Sequence, residues 1–404
     1  MEAIKRLLEK KLLERLDYSR EATDEEVLEL IDTLFLQEEA LRFRTVEERQ
    51  VLKQEIFCAL RRLDVLQNLL EDESISEIMI NGPNRIFIER GGRLMKLDTR
   101  FESEEKLFQV IQKIVGDCNR SVNEASPIVD ARLKDGSRVN VVLGPVAMNG
   151  PILTIRRFAE HPITMEQLID WGSITAEAAD MLKKLVEAGY NIFISGGTGS
   201  GKTTFLNVLS GFIPADQRIV TIEDSAELQI QGIENLVRLE TRNENVEGCH
   251  AITIRDLIKA SLRMRPDRIV VGEVRGAEAI DMMTAFNTGH DGSMSTGHAN
   301  SAADMISRLQ TMILMGMELP LAAVKQQIAS AVDLIVHLGR LRDKSRRVLE
   351  IVELDGCMNG EIRLHSLYRF EERGTDEEGR VQGSLEKRGE LCHGHKLKAA
   401  GLAL

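Results

Sequence analysis

The sequence predicts an α/β chain in which a mainly parallel sheet follows an α+β domain and an N-terminal helical bundle. Three observations carry this. Between about residues 163 and 370, short apolar runs such as "NIFIS", "RIVTIE" and "RIVVGE" alternate with helical patterns, the rhythm of a doubly wound sheet. Over residues 72–158, β-rich runs and turn signals surround one helical segment. The first 70 residues show helical spacing alone.

The bulk numbers fit that division. The chain has 404 residues, enough for two or three domains of roughly 100–200 residues each. Hydrophobic residues at 43% and charged residues at 29% exclude a disordered chain. A net charge of −12 gives no global pull toward DNA or anionic lipid. Aromatics at 4% disfavour a base-stacking platform. We therefore expect no nucleic acid partner. Cys58, Cys118, Cys249, Cys357 and Cys392 are scattered, odd in number and never in a CxxC pair, which fits a reducing cytoplasm. No run of 18 apolar residues exists, so no transmembrane segment is expected. "MEAIKRLLEKKLLERL" is amphipathic and carries acids; it reads as a solvated bundle helix, not a signal peptide.

Taken in order, residues 1–70 hold three helices: one with Ile4, Leu8, Leu12 and Leu16 on a face, one from Asp24 to about Phe43, and one from Val46 onward. Residues 71–158 hold "ISEIMINGPNRIFIERGGRLMKL", with turns at Gly82-Pro83 and Gly91-Gly92. There follow a helix in "EKLFQVIQKIVGDC", a hairpin turning at Asp135-Gly136 and the strand "PILTIRRF". "AEHPITMEQL" reads as a linker, since Pro162 discourages a continuous helix. In residues 159–370, Thr175 is a candidate N-cap and Gly189 a C-terminal stop for "AEAADMLKKLVEA". "DLIVHLG", "RVLEIVEL" and "EIRLHSLYRF" are runs that extend the sheet's edge. Residues 371–404 read as a polar, weakly packed tail.

The chemistry starts in "ISGGTGSGKTTF". Gly196, Gly197, Thr198, Gly199, Ser200, Gly201, Lys202 and Thr203 fit GxxxxGK[ST], after a predicted strand and at the head of a predicted helix; Thr204 follows. Glycines let backbone N–H groups wrap phosphates, and the helix N-terminus adds positive potential. Lys202 can reach β- and γ-phosphates, and the Thr203 hydroxyl can ligate Mg²⁺. ATP and Mg are thus the expected ligands. Acids come from two strand ends: "RIVTIEDSAE" supplies Glu223, Asp224 and Glu227, and "RIVVGEVRG" supplies Glu273, with Gly272 where a Walker B strand often has Asp. One acid should orient Mg²⁺ and another polarise the attacking water. Arg238 and Arg242 in "VRLETRNE", and Arg156 and Arg157 in "TIRRF", are candidates for γ-phosphate charge; surface ion pairing is the alternative for each. Arg255, Lys259 and Arg263 share a helix face and read as a solvated or subunit-facing stripe. "NTGHDGSMSTGHANS" holds His290 and His298, too few ligands for zinc. "CHGHK", with Cys392, His393 and His395, is a weak metal candidate for the same reason.

In order, the P-loop "GGTGSGKTT", "TIEDSAEL", "RIVVGEVRG" and the histidine stretch resemble the secretion ATPases of type II and type IV systems and type IV pili. They match that family's Asp box, glycine-for-aspartate Walker B and His box. "EIMINGPNRIFIERGGRL", "SPIVDARLKDGSRVN", "LTIRRF", "VRLETRNENVEG" and "TIRDLIKASLRMRPDRI" resemble its CpaF/TadA type, which serves Flp (tight-adherence) pili. The resemblance covers about residues 70–370. It implies a RecA-like domain in a homo-hexameric motor that drives an inner-membrane platform from the cytoplasmic face. It implies that Glu227 is the general base, that Glu273 helps hold Mg²⁺, and that Arg156, Arg157, Arg238 and Arg242 are γ-phosphate contacts. It places His298 beside the nucleotide, linking γ-phosphate to the subunit interface, with direct acid–base catalysis as the alternative. Competing readings are a conjugative or pilus-retraction motor, and an ATP-binding scaffold that does not hydrolyse.

Overall fold

The computed structural model describes residues 2–15, 23–38, 41, 44–157, 162–242 and 250–404. Leu16, Phe43, Phe158, Cys249, the start of the expected linker and the "NENVEG" stretch lie outside the described residues. The chain forms two compact units, Met1–Glu160 and His161–Leu404.

The first unit opens with α1 (Glu2–Arg15), α2 (Asp24–Gln37), α3 (Val46–Arg61) and α4 (Val65–Glu71). Reciprocal capping boxes, Thr23 with Glu26 and Thr45 with Glu48, start α2 and α3. Leu8, Leu12, Val27, Ile31, Leu34, Leu52 and Ile56 form the bundle core. A six-stranded sheet follows: β1 (Ile75–Asn81), β2 (Ile86–Arg90), β3 (Arg93–Leu97), then, beyond α5 (Glu104–Asp117), β4 (Ile128–Arg132), β5 (Arg138–Val142) and β6 (Ile152–Arg156). Its order is β3-β2-β1-β6-β5-β4, every pair antiparallel. One face is buried: Ile78, Ile80, Val139, Val141, Leu153 and Ile155 cluster with Leu107, Ile111 and Ile114 of α5, leaving the alternate residues toward the other face.

The second unit contains α6 (Met165–Asp170), α7 (Ala176–Glu187), β7 (Ile192–Gly196), α8 (Lys202–Ser210), β8 (Ile219–Glu223) and β9 (Leu236–Glu240). Next come α9 (Ile254–Ser261), β10 (Arg268–Val271), α10 (Ala279–Phe286), β11 (Met294–Gly297), α11 (Ala302–Gly316) and α12 (Leu321–Ala331). It ends with β12 (Leu334–Arg340), β13 (Arg346–Met358), β14 (Glu361–Thr375), β15 (Val381–Lys387) and α13 (His395–Ala399). The nine strands run β15-β14-β13-β12-β7-β11-β10-β8-β9. From β12 to β9 all pairings are parallel; β13, β14 and β15 join antiparallel. Consecutive residues of β7 enter opposite cores. Ile192 and Ile194 pack with α7 and α8, whereas Phe193 packs with α10, α11 and α12. Burial on both faces is why these strands read as unbroken apolar runs.

The runs "DLIVHLG", "RVLEIVEL" and "EIRLHSLYRF" extend the sheet beyond β7 as β12, β13 and β14, as expected, with β12 pairing in parallel with β7 itself. Thr175 sits at the N-cap of α7 with extended backbone, as expected, but its hydroxyl makes no capping bond and is buried without a hydrogen-bond partner. One expectation needs correction. The residues after Phe370 are not weakly packed. β14 continues to Thr375, Val381 and Leu385 of β15 are buried, and Leu397 of α13 joins the core. In β15 Val381 and Leu385 are buried while Gln382 and Lys387 are exposed, so its polar composition is that of a strand with one wet face.

Candidate functional site

The site begins where β7 ends. A Cβ on Gly196 would lie 2.5 Å from both the Leu338 carbonyl oxygen and Ser200 Oγ, so only glycine fits between the two strands and the loop. Gly199 and Gly201 take φ of +71° and +94°, backbone that side chains rarely adopt. Gly201 occupies the N-cap of α8 without a side-chain cap, which leaves the first-turn N–H groups for an anion. Ser200 Oγ donates to the Gly197 carbonyl at 2.9 Å. Lys202 Nζ donates to the same carbonyl at 3.1 Å and lies 3.2 Å from His298 Nδ1. Burial pulls the Lys202 pKa below 10.5, against Glu273 and Glu227, whose charges raise it.

β11 lies between β7 and β10, and so brings His298 to the loop. Val274 N–H donates to the Thr296 carbonyl at 3.0 Å, and Thr296 Oγ1 donates to the Gly272 carbonyl at 2.8 Å. This strap sets the turn carrying Glu273 beside His298. His298 Nε2 stands 2.8 Å from Glu273 Oε1, off the line of an aligned hydrogen bond, so the strap and not a formed hydrogen bond keeps the pair together. Arg275 Nη2 meets Glu273 Oε2 at 3.0 Å, and Arg275 Nη1 is 3.9 Å from Asp224. A continuous polar line thus runs Lys202, His298, Glu273, Arg275, Asp224. An ammonium can only donate, so His298 Nδ1 accepts and Nε2 carries the proton. Burial and the Lys202 charge hold the His298 pKa below 6.5, against the pull of Glu273, which keeps the ring neutral.

Glu223 explains Gly272. A Cβ on Gly272 would come within 3.0 Å of Glu223 Cγ. The Glu223 carboxylate, 3% exposed, accepts from Glu227 N–H at 2.8 Å and Leu228 N–H at 3.0 Å. Burial raises its pKa, opposed by those two donors. Arg238 Nη2 donates to the Leu228 carbonyl at 2.8 Å. Glu223 and Arg238 therefore shape the turn that carries Glu227, which is half-buried and whose charge reaches Lys202 and Arg275.

Not every candidate of the second unit converges on the loop within one chain. Arg242 pairs its backbone with Ile252, and its Nη2 donates to the His250 carbonyl at 3.2 Å. Within one chain β9 lies four strand spacings from β7, roughly 19 Å, so neither Arg238 nor Arg242 starts from a strand beside the loop. Arg156 and Arg157 belong to the first unit. There Arg156 pairs across from Glu77, and Arg157 donates to the Asp72 carbonyl and, through its N–H, to Ser76. His290 and His298 flank opposite ends of β11, so they do not share a ligand. His290 Nδ1 lies 3.0 Å from the Ala285 carbonyl and closes its own loop. Arg255 meets Asp281 at 2.6 Å. Cys392 and His393 hold the tail through backbone N–H bonds to Glu353.

Two residues that touch the candidate site were not among the sequence candidates. Arg275 stands in "VVGEVRG", where only the acid drew notice. Arg346 Nε donates to the Gly199 carbonyl at 2.9 Å; the basic run "RLRDKSRR" was its signal. A cleft of about 490 Å³ opens beside the loop, lined by Gly197, Thr198, His298, Asn300 and Arg308 among others. Among the described residues no group of three His, Cys, Asp or Glu could hold a metal alone. Thr203 and Glu273 would give a cation two oxygens. That donor set suits magnesium, which keeps waters and takes substrate phosphate oxygens.

Residues 60–388 match the family of type II/IV secretion system proteins. The chain belongs to that family. It is 33% identical to the conjugal transfer protein TrbB of Rhizobium radiobacter over 313 residues, 76% of this chain and 93% of that protein. It is 31% identical to the type IV secretion system protein PtlH of Bordetella pertussis, over 73% of this chain and 94% of the relative. Among solved structures it resembles the pilus retraction motor PilT with bound ADP, with a TM-score of 0.53 and 20% identity over 76% of this chain and 82% of that one. The second unit is a RecA-like α/β domain with a mainly parallel sheet, in agreement with the sequence.

Proposed function

We propose that this chain hydrolyses ATP as the motor of a Flp or type IV pilus assembly system, working as a hexamer against an inner-membrane platform. Family membership supports a nucleotide-binding secretion ATPase. The observation that carries hydrolysis is the line Lys202–His298–Glu273–Arg275, which connects the phosphate loop to the acidic strand ends. Loop N–H groups hold the phosphates, and Lys202 neutralises the β- and γ-oxygens. Glu227, aimed by Glu223, orients the attacking water and takes its proton. Thr203 and Glu273 would hold magnesium, which when bound would neutralise charge on the phosphate oxygens. His298 reports γ-phosphate occupancy from Lys202 to Glu273. No helix among the described residues is long and apolar enough to cross a membrane. On the family reading the chain works from the cytoplasmic face through membrane partners.

The test is ATPase turnover and solution mass of wild type, Lys202→Ala and Glu227→Gln. Lys202→Ala should bind and hydrolyse poorly. Glu227→Gln should bind ATP but turn over about 10²–10⁴-fold more slowly. A wild-type hexamer with turnover supports the motor; ATP binding without turnover supports a scaffold. A second reading, a conjugative motor, is favoured by the likeness to TrbB. Cells carrying Lys202→Ala separate the two: lost surface pilin with intact DNA transfer supports the pilus, and the reverse supports conjugation.

A further inference from the structure

We propose that Arg346, with Arg340 opposite it, forms a second anion-binding flank of the loop, one that holds the α-phosphate and ribose end of the nucleotide. The inference rests on the nucleotide reading above and adds residues that reading does not use.

The sheet order assigns the two flanks. On one side of β7 lie β11 and β10, which carry His298 and Glu273. On the other lies β12, then β13. Leu338 of β12 pairs with Gly196, the last residue of β7. Gly339 and Arg340 therefore run on past the end of β7, alongside the loop. The chain turns, and Arg346 returns directly opposite Arg340. The turn is pinned: Asp343 accepts from Ser345 N–H at 2.9 Å, Ser345 Oγ at 2.6 Å and Val381 N–H at 2.8 Å.

Two arginines facing each other across an antiparallel pair repel. Nearby acids do not relieve them. Asp343 is spent on the turn, and Glu372 pairs with Arg342 at 2.6 Å. Among the described residues Arg340 has no ion-pair partner, and both arginines are exposed. Arg346 is nevertheless aimed. Its Nε donates to the Gly199 carbonyl at 2.9 Å, and its Cδ lies 3.5 Å from where a Gly201 Cβ would stand. The Nη donors of its guanidinium have no partner among the described residues. A planar fork beside an anion cradle, with donors left over and a like charge behind it, matches a phosphate oxygen or a ribose hydroxyl.

The position decides which phosphate. Lys202, His298, Glu273 and Glu227 gather on the β8–β10–β11 side, the side suited to the γ-phosphate. A polyphosphate running over the head of α8 leaves on the other flank, where Arg346 stands. Arg346 should therefore treat di- and triphosphate alike, whereas the residues on the opposite flank should discriminate between them.

Calorimetric binding of ADP and of a non-hydrolysable ATP analogue to the full chain tests this, with melting temperature without nucleotide as the fold control. Arg346→Ala should weaken both ligands by the same factor, about tenfold for one lost charge-assisted contact. Arg346→Lys should recover part of the loss, and it decides the matter if the alanine variant fails to fold. Arg340→Ala should give a smaller loss, again equal for the two. Unchanged binding in Arg346→Ala beside a wild type that binds overturns this inference alone. A loss confined to the triphosphate also overturns it, by placing Arg346 at the γ end. A wild type that binds neither ligand overturns the nucleotide reading and this inference with it.

Discussion

Glu223 shows how one side chain can decide the geometry of another. Its carboxylate is spent on the N–H groups of Glu227 and Leu228, and its stem occupies the space a residue-272 side chain would need. The sequence offers Glu223 as an acid at a strand end, behind Glu227 and Glu273, and shows glycine at 272, but spacing cannot say that one accounts for the other. Glu223→Ala should free the turn and lower turnover about 10²-fold, the cost of a misplaced catalytic group, while nucleotide affinity changes far less. An equal loss in both would mean that Glu223 supports the whole loop instead. His337 of β12 gives a second prediction. It is buried, with Nδ1 3.1 Å from Ser195 Oγ, and burial holds its pKa below 6.5. The unfolded chain then takes up a proton at a higher pH than the folded one. Its contribution to stability is full above about 6.5 and is lost as pH falls through the lower folded value, with a slope of at most about 1.4 kcal/mol per pH unit. Urea unfolding from pH 7.5 to 5 should show this slope, and His337→Gln should flatten it. Parallel curves for the two proteins would sink the idea.

At the scale of elements, the helices and strands that bury one stripe or both faces were legible. Apolar periodicity located the core of α5, of β7 and of β8, and the glycines of the loop marked where β7 stops. Partners were not legible. "DLIVHLG" identifies a strand, but nothing in it says that the strand pairs with β7, because parallel pairing is set by crossovers and not by local pattern. The C-terminal segment was misjudged because its anchors are few and separated: Leu397 in the core, Tyr190 OH donating to the His393 carbonyl at 2.6 Å, and Lys396 with Asp333 at 2.8 Å. Glu353 of β13, 1% exposed, accepts from Cys392 and His393 N–H groups at 2.7 Å each. Glu353→Ala removes two charge-assisted bonds in a buried place and should cost about 3 kcal/mol. A lower denaturant midpoint, with faster proteolysis after Lys387, is the expected result. A change below about 0.5 kcal/mol, the range of ordinary surface substitutions, would mean that the tail is held elsewhere.

The whole molecule is two units, each with its own apolar cores: two in Met1–Glu160 and two in His161–Leu404. Domains with separate cores can unfold separately. The loop, Lys202, His298, Glu273, Glu227 and the Arg340–Arg346 pair all belong to the second unit. A ligand that binds the native state raises the stability of the unit that holds it, by about 2.7 kcal/mol at a hundredfold excess over its dissociation constant. Scanning calorimetry of the full chain should therefore resolve two transitions, and ADP or an ATP analogue with Mg²⁺ should raise only one. Lys202→Ala should abolish that rise and leave the other transition in place. Two observations make the shifted transition assignable. His337→Gln alters the pH dependence of the second unit alone, and Leu52→Ala in the bundle core should lower only the unshifted transition, by about 2–5 kcal/mol for a buried leucine. If nucleotide raises both transitions together, or if a single transition moves as one, the chain unfolds cooperatively. The stabilisation from nucleotide binding is then shared by both units, and the expectation of separate transitions fails.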